Sequence, residues 1–162
     1  MPGQVEAPVR LDESWLDDPT VDGRGLYRLL RVTFDPSADA SLRDTGAAYS
    51  LPRSRAGLPS GAIVVRSWYE VITTFISATD AATISIGYAT DDVAGIVAAI
   101  AISNVGNPWD DGFKAGIQDG AVGNLSNKAT AERLIDFTLG AAENLSAGKL
   151  VLYLQYVVSD AG

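Results

Sequence analysis

Lys149-Leu150-Val151-Leu152-Tyr153-Leu154-Gln155-Tyr156-Val157-Val158 is the stretch on which the fold turns. Side chains alternate across a strand, so Leu150, Leu152, Leu154, Tyr156 and Val158 share one face. Val151, Tyr153, Gln155 and Val157 share the other, which is nearly as apolar. A strand apolar on both faces is central in a sandwich or is covered by another subunit. Tyr153, Tyr156 and Val158 are therefore the candidate subunit-interface residues.

Outward from this strand, further strands follow. Glu132–Leu139 reads as its hairpin partner, joined through a turn at Asn144-Leu145-Ser146-Ala147-Gly148. Ala62–Ile76 is long, β-branched and aromatic, with no Gly or Pro inside. The turn Ser77-Ala78-Thr79-Asp80 leads from it to the alternating run Ala82–Tyr88, which predicts another hairpin. Gly25–Phe34 supplies a first strand, with Leu30, Val32 and Phe34 on one parity and Asp35-Pro36-Ser37 as its stop. Residues 35–60 read as a long loop, and residues 103–128 as a Gly-, Asn- and Asp-rich loop with one short strand near Ala115–Ile117.

Asp91–Ile102 fits two readings. Val93, Ile96, Val97 and Ile100 fall at i, i+3, i+4 and i+7, which favours a short helix capped by Asp91 or Asp92. The run Gly95–Ile102 is the strand alternative. Together the elements predict an all-β chain, an antiparallel β-sandwich over residues 25–162 with at most one short helix. Residues 1–24 read as an extended N-terminal arm.

The chain has 162 residues, enough for one domain with its own core. It has no Cys and no His, so disulfides, Cys nucleophiles, Ser-His-Asp triads and His acid–base chemistry are excluded. A mean hydropathy of +0.12 is high for a small monomer and points to apolar surface buried against another chain. The first 25 residues are acidic and lack an apolar run, so no signal peptide is expected. No apolar stretch approaches the ~20 residues of a membrane span. The sequons at Asn124 and Asn144 read as turns.

Net charge is −8, and it is unevenly placed. Residues 1–23 carry six acids and one Arg. Residues 24–66 carry seven Arg and three Asp, a basic strip represented by Arg28, Arg31, Arg43, Arg53 and Arg55. An acidic chain with only three Lys is a poor binder of nucleic acid; the strip suits an acidic partner instead. The arm contains prolines and acids that prevent a core of its own, yet it keeps Trp15 and Leu16 within Asp12-Glu13-Ser14-Trp15-Leu16-Asp17-Asp18-Pro19. Such anchors are expected where an arm orders against a partner.

Catalytic chemistry finds no foothold. The doublets Asp17/Asp18, Asp91/Asp92 and Asp110/Asp111 are adjacent residues, which point to opposite sides of an extended chain rather than across a cleft. Asn107, Asp110 and Asp111 offer hard oxygens for calcium, without the spacing of an EF-hand. Trp109 suits a core or interface position better than sugar stacking. No phosphate loop occurs. No catalytic residue, metal site or cofactor is expected.

The stretch from Tyr27 to Val158 resembles the small structural proteins that decorate or cement the heads of tailed bacteriophages. The resemblance is carried by Arg31-Val32-Thr33-Phe34-Asp35-Pro36-Ser37-Ala38, Leu58-Pro59-Ser60-Gly61-Ala62-Ile63-Val64-Val65 and Thr73–Gly87. Gly95–Ile102, Asn107-Pro108-Trp109-Asp110, Gly116-Ile117-Gln118-Asp119-Gly120 and Ala147–Tyr153 continue it. It implies a jelly-roll-like β-sandwich that forms a homotrimer on the outer capsid surface of the virion and bridges major capsid protein subunits, with no nucleic-acid or membrane partner. A tail or fibre protein and a carbohydrate-binding module are the alternatives.

Overall fold

The computed structural model describes residues 27–51, 57–89, 92–103, 106–115, 129–140 and 143–159. Trp15, Leu16, Arg53 and Arg55 lie outside them. Eight strands are described: β1 Arg28–Phe34, β2 Ala48–Leu51, β3 Ala62–Ser77, β4 Thr83–Tyr88, β5 Asp92–Ala101, β6 Gly112–Ala115, β7 Ile135–Gly140 and β8 Leu145–Val158. They form two antiparallel four-stranded sheets, ordered β1-β8-β3-β6 and β2-β7-β4-β5.

The pairing is nested. β1 lies against β8, β2 against β7, β3 against β6 and β4 against β5. A ladder of nested antiparallel pairs rolled into two facing sheets is the jelly roll. The all-β expectation therefore holds, and β8 is central, between β1 and β3.

Both predicted hairpins are corrected by this topology. β3 and β4 belong to different sheets, as do β7 and β8. Each intervening turn carries the chain from one sheet to the other rather than back along its neighbour. The second turn is also shorter than expected, since β8 begins at Leu145. The long loop 35–60 contains a one-turn 3-10 helix at Ala40–Leu42 and the strand β2. Asp39 caps that helix by accepting from the Ser41 amide at 2.9 Å. The short strand near residue 115 is β6, ending at Ala115.

The helix expected over residues 91–102 is a strand, β5, and a bulge is the reason. Ile100 faces Ile84 and Val97 faces Ile86, so Ala98 and Ala99 together oppose Ser85 alone. The extra residue lets Val97 and Ile100, three apart, both join or pack against the core. Ala98 and Ala99 are exposed. The bulge thereby imitates the spacing of a helix face.

The core lies between the sheets. Phe34 of β1 stacks on Phe137 of β7, with centroids 4.7 Å apart and planes 6° apart. Phe75 stacks on the Phe34 ring at 6.0 Å, and Trp109 meets Phe75 edge-on at 6.1 Å. Trp109 is wholly buried, which confirms its core role.

Glu143 closes the β3–β4 connection. Its carboxylate accepts from the Ser77 hydroxyl at 2.7 Å, the Thr79 amide at 2.9 Å, the Ala81 amide at 3.3 Å and the Thr79 hydroxyl. The Thr79 donors, then Ser77 and Ala81, hold this carboxyl down to about 2. A folded-state value below the unfolded one stabilises the fold above the ordinary glutamate value of 4.5. That contribution is lost as pH falls through about 2. Acidification across this window is expected to lower the hydrogen-exchange protection factors, taken against the intrinsic rate at each pH, of the Thr79 and Ala81 amides first. A Glu143→Gln variant should show the lowered protection already at neutral pH, with no further drop across this window.

Candidate functional site

The outer face of the β1-β8-β3-β6 sheet is assembled row by row from its register. Leu29, Gln155 and Arg66 form one row. Arg31, Tyr153 and Trp68 form the next, and Thr33, Val151, Glu70 and Phe113 the third. A bulge between Val64 and Arg66 sets this arrangement. Before it Ala62 and Val64 face the core; after it Ser67, Tyr69 and Val71 do, which turns Arg66, Trp68 and Glu70 outward.

Trp68 and Tyr153 stack across the strands at 5.6 Å with planes 10° apart, and the Arg66 guanidinium sits 5.5 Å from the Trp68 ring. Leu29 and Phe113, at opposite edges of the sheet, are 56% and 64% exposed. A face that carries two half-buried rings, two guanidiniums and exposed apolar edges has the composition of a protein-binding surface. At its lower end Lys149 meets Asp35 at 2.8 Å. Partial burial raises the Asp35 carboxyl, but Lys149 and the amides of Ala38 and Ser37 outweigh that and leave it below the usual carboxylate range.

A groove of about 360 Å³ opens beside this face along β1, the outermost described strand of the sheet. Arg28, Leu29 and Arg31 form one wall, Gly57 and Pro59 the other, with Tyr156 also lining it. The second wall is fixed: Leu58 and Arg133 exchange two backbone hydrogen bonds, each 2.8 Å. Gly57 is required there, because a Cβ on it would fall 2.1 Å from the Arg133 carbonyl oxygen.

The structure thus places the candidate residues apart. Arg28 and Arg31 lie on exposed β1, at the groove. Arg43 serves the loop instead: its guanidinium donates to the Pro36 carbonyl at 2.6 Å and the Ser37 carbonyl at 3.1 Å. Tyr153 is on the outer face, whereas Tyr156 packs against the core and Val158 is half-buried opposite Ala62. Asn107 uses its amide on Asp110 at 3.2 Å and its carbonyl oxygen on the Trp109 amide at 2.9 Å, so it builds a turn. Among the described residues no cluster of three acidic side chains could hold a metal ion. Sequence reasoning counted Arg66 within the basic strip of residues 24–66 but did not assign Trp68, Glu70 or Phe113 to a site.

No family model matches the chain, and no curated protein matches it. Two solved chains do. A chain of the acidic stable capsid structure of Helicobacter pylori bacteriophage KHP30 is 21% identical, with a TM-score of 0.51, covering 82% of this chain and 88% of that one. A chain of the cyanophage Pam1 capsid asymmetric unit is 17% identical, with a TM-score of 0.48, covering 98% of this chain and 100% of that one. The KHP30 likeness shows a shared fold.

Proposed function

We propose that this chain is a structural, non-enzymatic component of a phage virion, a homotrimer that decorates the outer capsid surface and cements neighbouring major capsid protein subunits. The observation that carries the reading is the jelly-roll sandwich shared with a chain of a phage capsid over most of both lengths. The broad outer face of β1-β8-β3-β6, with Trp68, Tyr153, Leu29 and Phe113, supplies a surface for neighbours. Trimerisation multiplies modest contacts through effective concentration, which suits a cement. Residues 1–24, anchored by Trp15 and Leu16, act as a clamp onto a neighbouring subunit.

The carbohydrate-binding alternative is less well supported. Trp68 and Tyr153 stack on each other and Arg66 sits at the Trp68 ring, so they do not lay a flat platform for a sugar.

Mass photometry of the purified chain should give about 50 kDa, three copies of a closed cyclic oligomer. The protein should co-sediment with capsids, and cryo-EM of the particle should show it outside the shell. A monomer at micromolar concentration, or density only in the tail, overturns the reading.

A further inference from the structure

We infer that the groove beside β1 is the receptor for Trp15 of a second copy of this chain, with the acids around that Trp set against Arg28 and Arg31. The inference rests on the self-associating reading above and names the partner of one surface.

Three observations converge on this occupant. The first is the shape and chemistry of the groove. Its 360 Å³ is roomy enough for an indole, and Leu29, Pro59 and Tyr156 give it apolar walls. Leu29 is 56% exposed although it lies at the sheet edge among these walls. The second is charge. Arg28 and Arg31 flank Leu29 on the same strand, and Arg66 lies two strands away in the row of Leu29. The segment Asp12-Glu13-Ser14-Trp15-Leu16-Asp17-Asp18 puts two acids on either side of its aromatic anchor. An apolar anchor between carboxylates matches an apolar groove between guanidiniums, with the charge pairs setting register and encounter rate. The third is reach. Twelve Cα-to-Cα steps lead from Trp15 to Tyr27, where the described chain begins, and at ~3.3 Å each they extend up to about 40 Å. That length spans a neighbouring sandwich in a closed oligomer, where the partner's groove has an effective concentration comparable with the chain's own.

The absence of Cys makes the test clean, because any disulfide must come from introduced residues. Copies carrying Ser14→Cys are mixed with copies carrying Leu29→Cys under mild oxidation. Ser14 neighbours the anchor and leaves Trp15 in place. The control partner is Ala98→Cys, exposed on β5 in the other sheet. A covalent heterodimer is expected for the Leu29 pair, at least tenfold faster than for the Ala98 pair. Adding Arg28→Glu and Arg31→Glu to the Leu29→Cys copy should remove that advantage. Adding Asp17→Lys and Asp18→Lys to the Ser14→Cys copy should restore it. Circular dichroism confirms that each variant keeps its strands, and Tyr27→Cys, 58% exposed, replaces Leu29→Cys if that one does not. Equal rates for the Leu29 and Ala98 pairs overturn the inference. So does a disulfide that forms only within a Ser14→Cys/Leu29→Cys chain, which would seat the segment in its own copy. The measurement needs no particle, so its failure is separate from a failure of capsid association.

Discussion

Replacing Trp109 by alanine is expected to destabilise the sandwich by about 3–5 kcal/mol, the range for removing a buried large aromatic. Trp109 is fully buried, and three kinds of contact depend on it. Its indole N–H donates to the Ile100 carbonyl at 3.0 Å, which ties the 106–111 segment to the end of β5. Its carbonyl accepts from the Phe75 amide at 3.1 Å, which ties the same segment to β3. Its ring meets Phe75 edge-on and lies 5.7 Å from Tyr69. Truncation therefore leaves a cavity, an unsatisfied carbonyl and a loosened link between the two sheets. Set against a typical total of about 5–15 kcal/mol, such a loss places the variant near unfolding. Urea titration followed by far-UV circular dichroism measures it; a midpoint within error of the parent chain would show that the loop repacks without Trp109. Trp109→Phe should recover the packing but not the bond to Ile100.

Gly148→Ala is expected to be almost as damaging, although it removes nothing. Gly148 sits in β8 at φ +144°, a conformation that a side chain resists. A Cβ there would fall 2.1 Å from Cδ1 of Phe75. The register explains the collision. Thr73 faces Lys149 and Ile76 faces Ala147, so Thr74 and Phe75 together oppose Gly148. The Phe75 ring fills the space a side chain would take and cannot swing away, held by Phe34 and Trp109. Backbone strain and overpacking together cost roughly 3–5 kcal/mol. The Ser37 pair is also at stake, since its hydroxyl accepts from the Gly148 amide at 2.9 Å. Thermal unfolding would read the effect; Gly148→Ala melting with the parent chain would mean that the bulge relaxes freely. Gly46, also at positive φ but with nothing within 4 Å of its would-be Cβ, supplies the milder comparison.

What could be read from residues was whatever depends on local alternation. The two apolar faces of residues 150–158 predicted a central strand, and β8 is one. Leu30, Val32 and Phe34 shared a parity and share the core. Two kinds of information escaped. One is the bulge: Ala98 and Ala99 convert a strand into a helical spacing, and Val65 reverses the phase of β3, so that Arg66 and Trp68 face outward without a visible signal. The other is the choice of partner. Residues 62–76 and 82–88 are joined by a short turn, which favours a hairpin locally, yet β8 gives β3 its cross-strand contacts Trp68–Tyr153 and Val64–Tyr156. Nothing within ten residues of the turn encodes that competition. The candidate surface was half legible: Arg28, Arg31 and Tyr153 could be named from charge and parity, but the groove depends on Leu58 meeting Arg133.

The nested order of the strands also governs time. The first described strand pairs with the last, Arg28 against Tyr156, so the sheet that contains them closes only when the chain from residue 28 through residue 156 is present. Loop-closure entropy must be met before these distant contacts return anything, and sandwiches dominated by such contacts fold in milliseconds to seconds. During synthesis β3 emerges long before β8, and its exposed Ile72 and Ile76 accompany an edge that has no neighbour yet. A nascent chain is thus at its most adhesive just before β8 emerges, and truncation just short of residue 145 would leave that edge open permanently. Yield in a cell should therefore respond more to chaperone supply and growth temperature than to changes in the mature fold's stability.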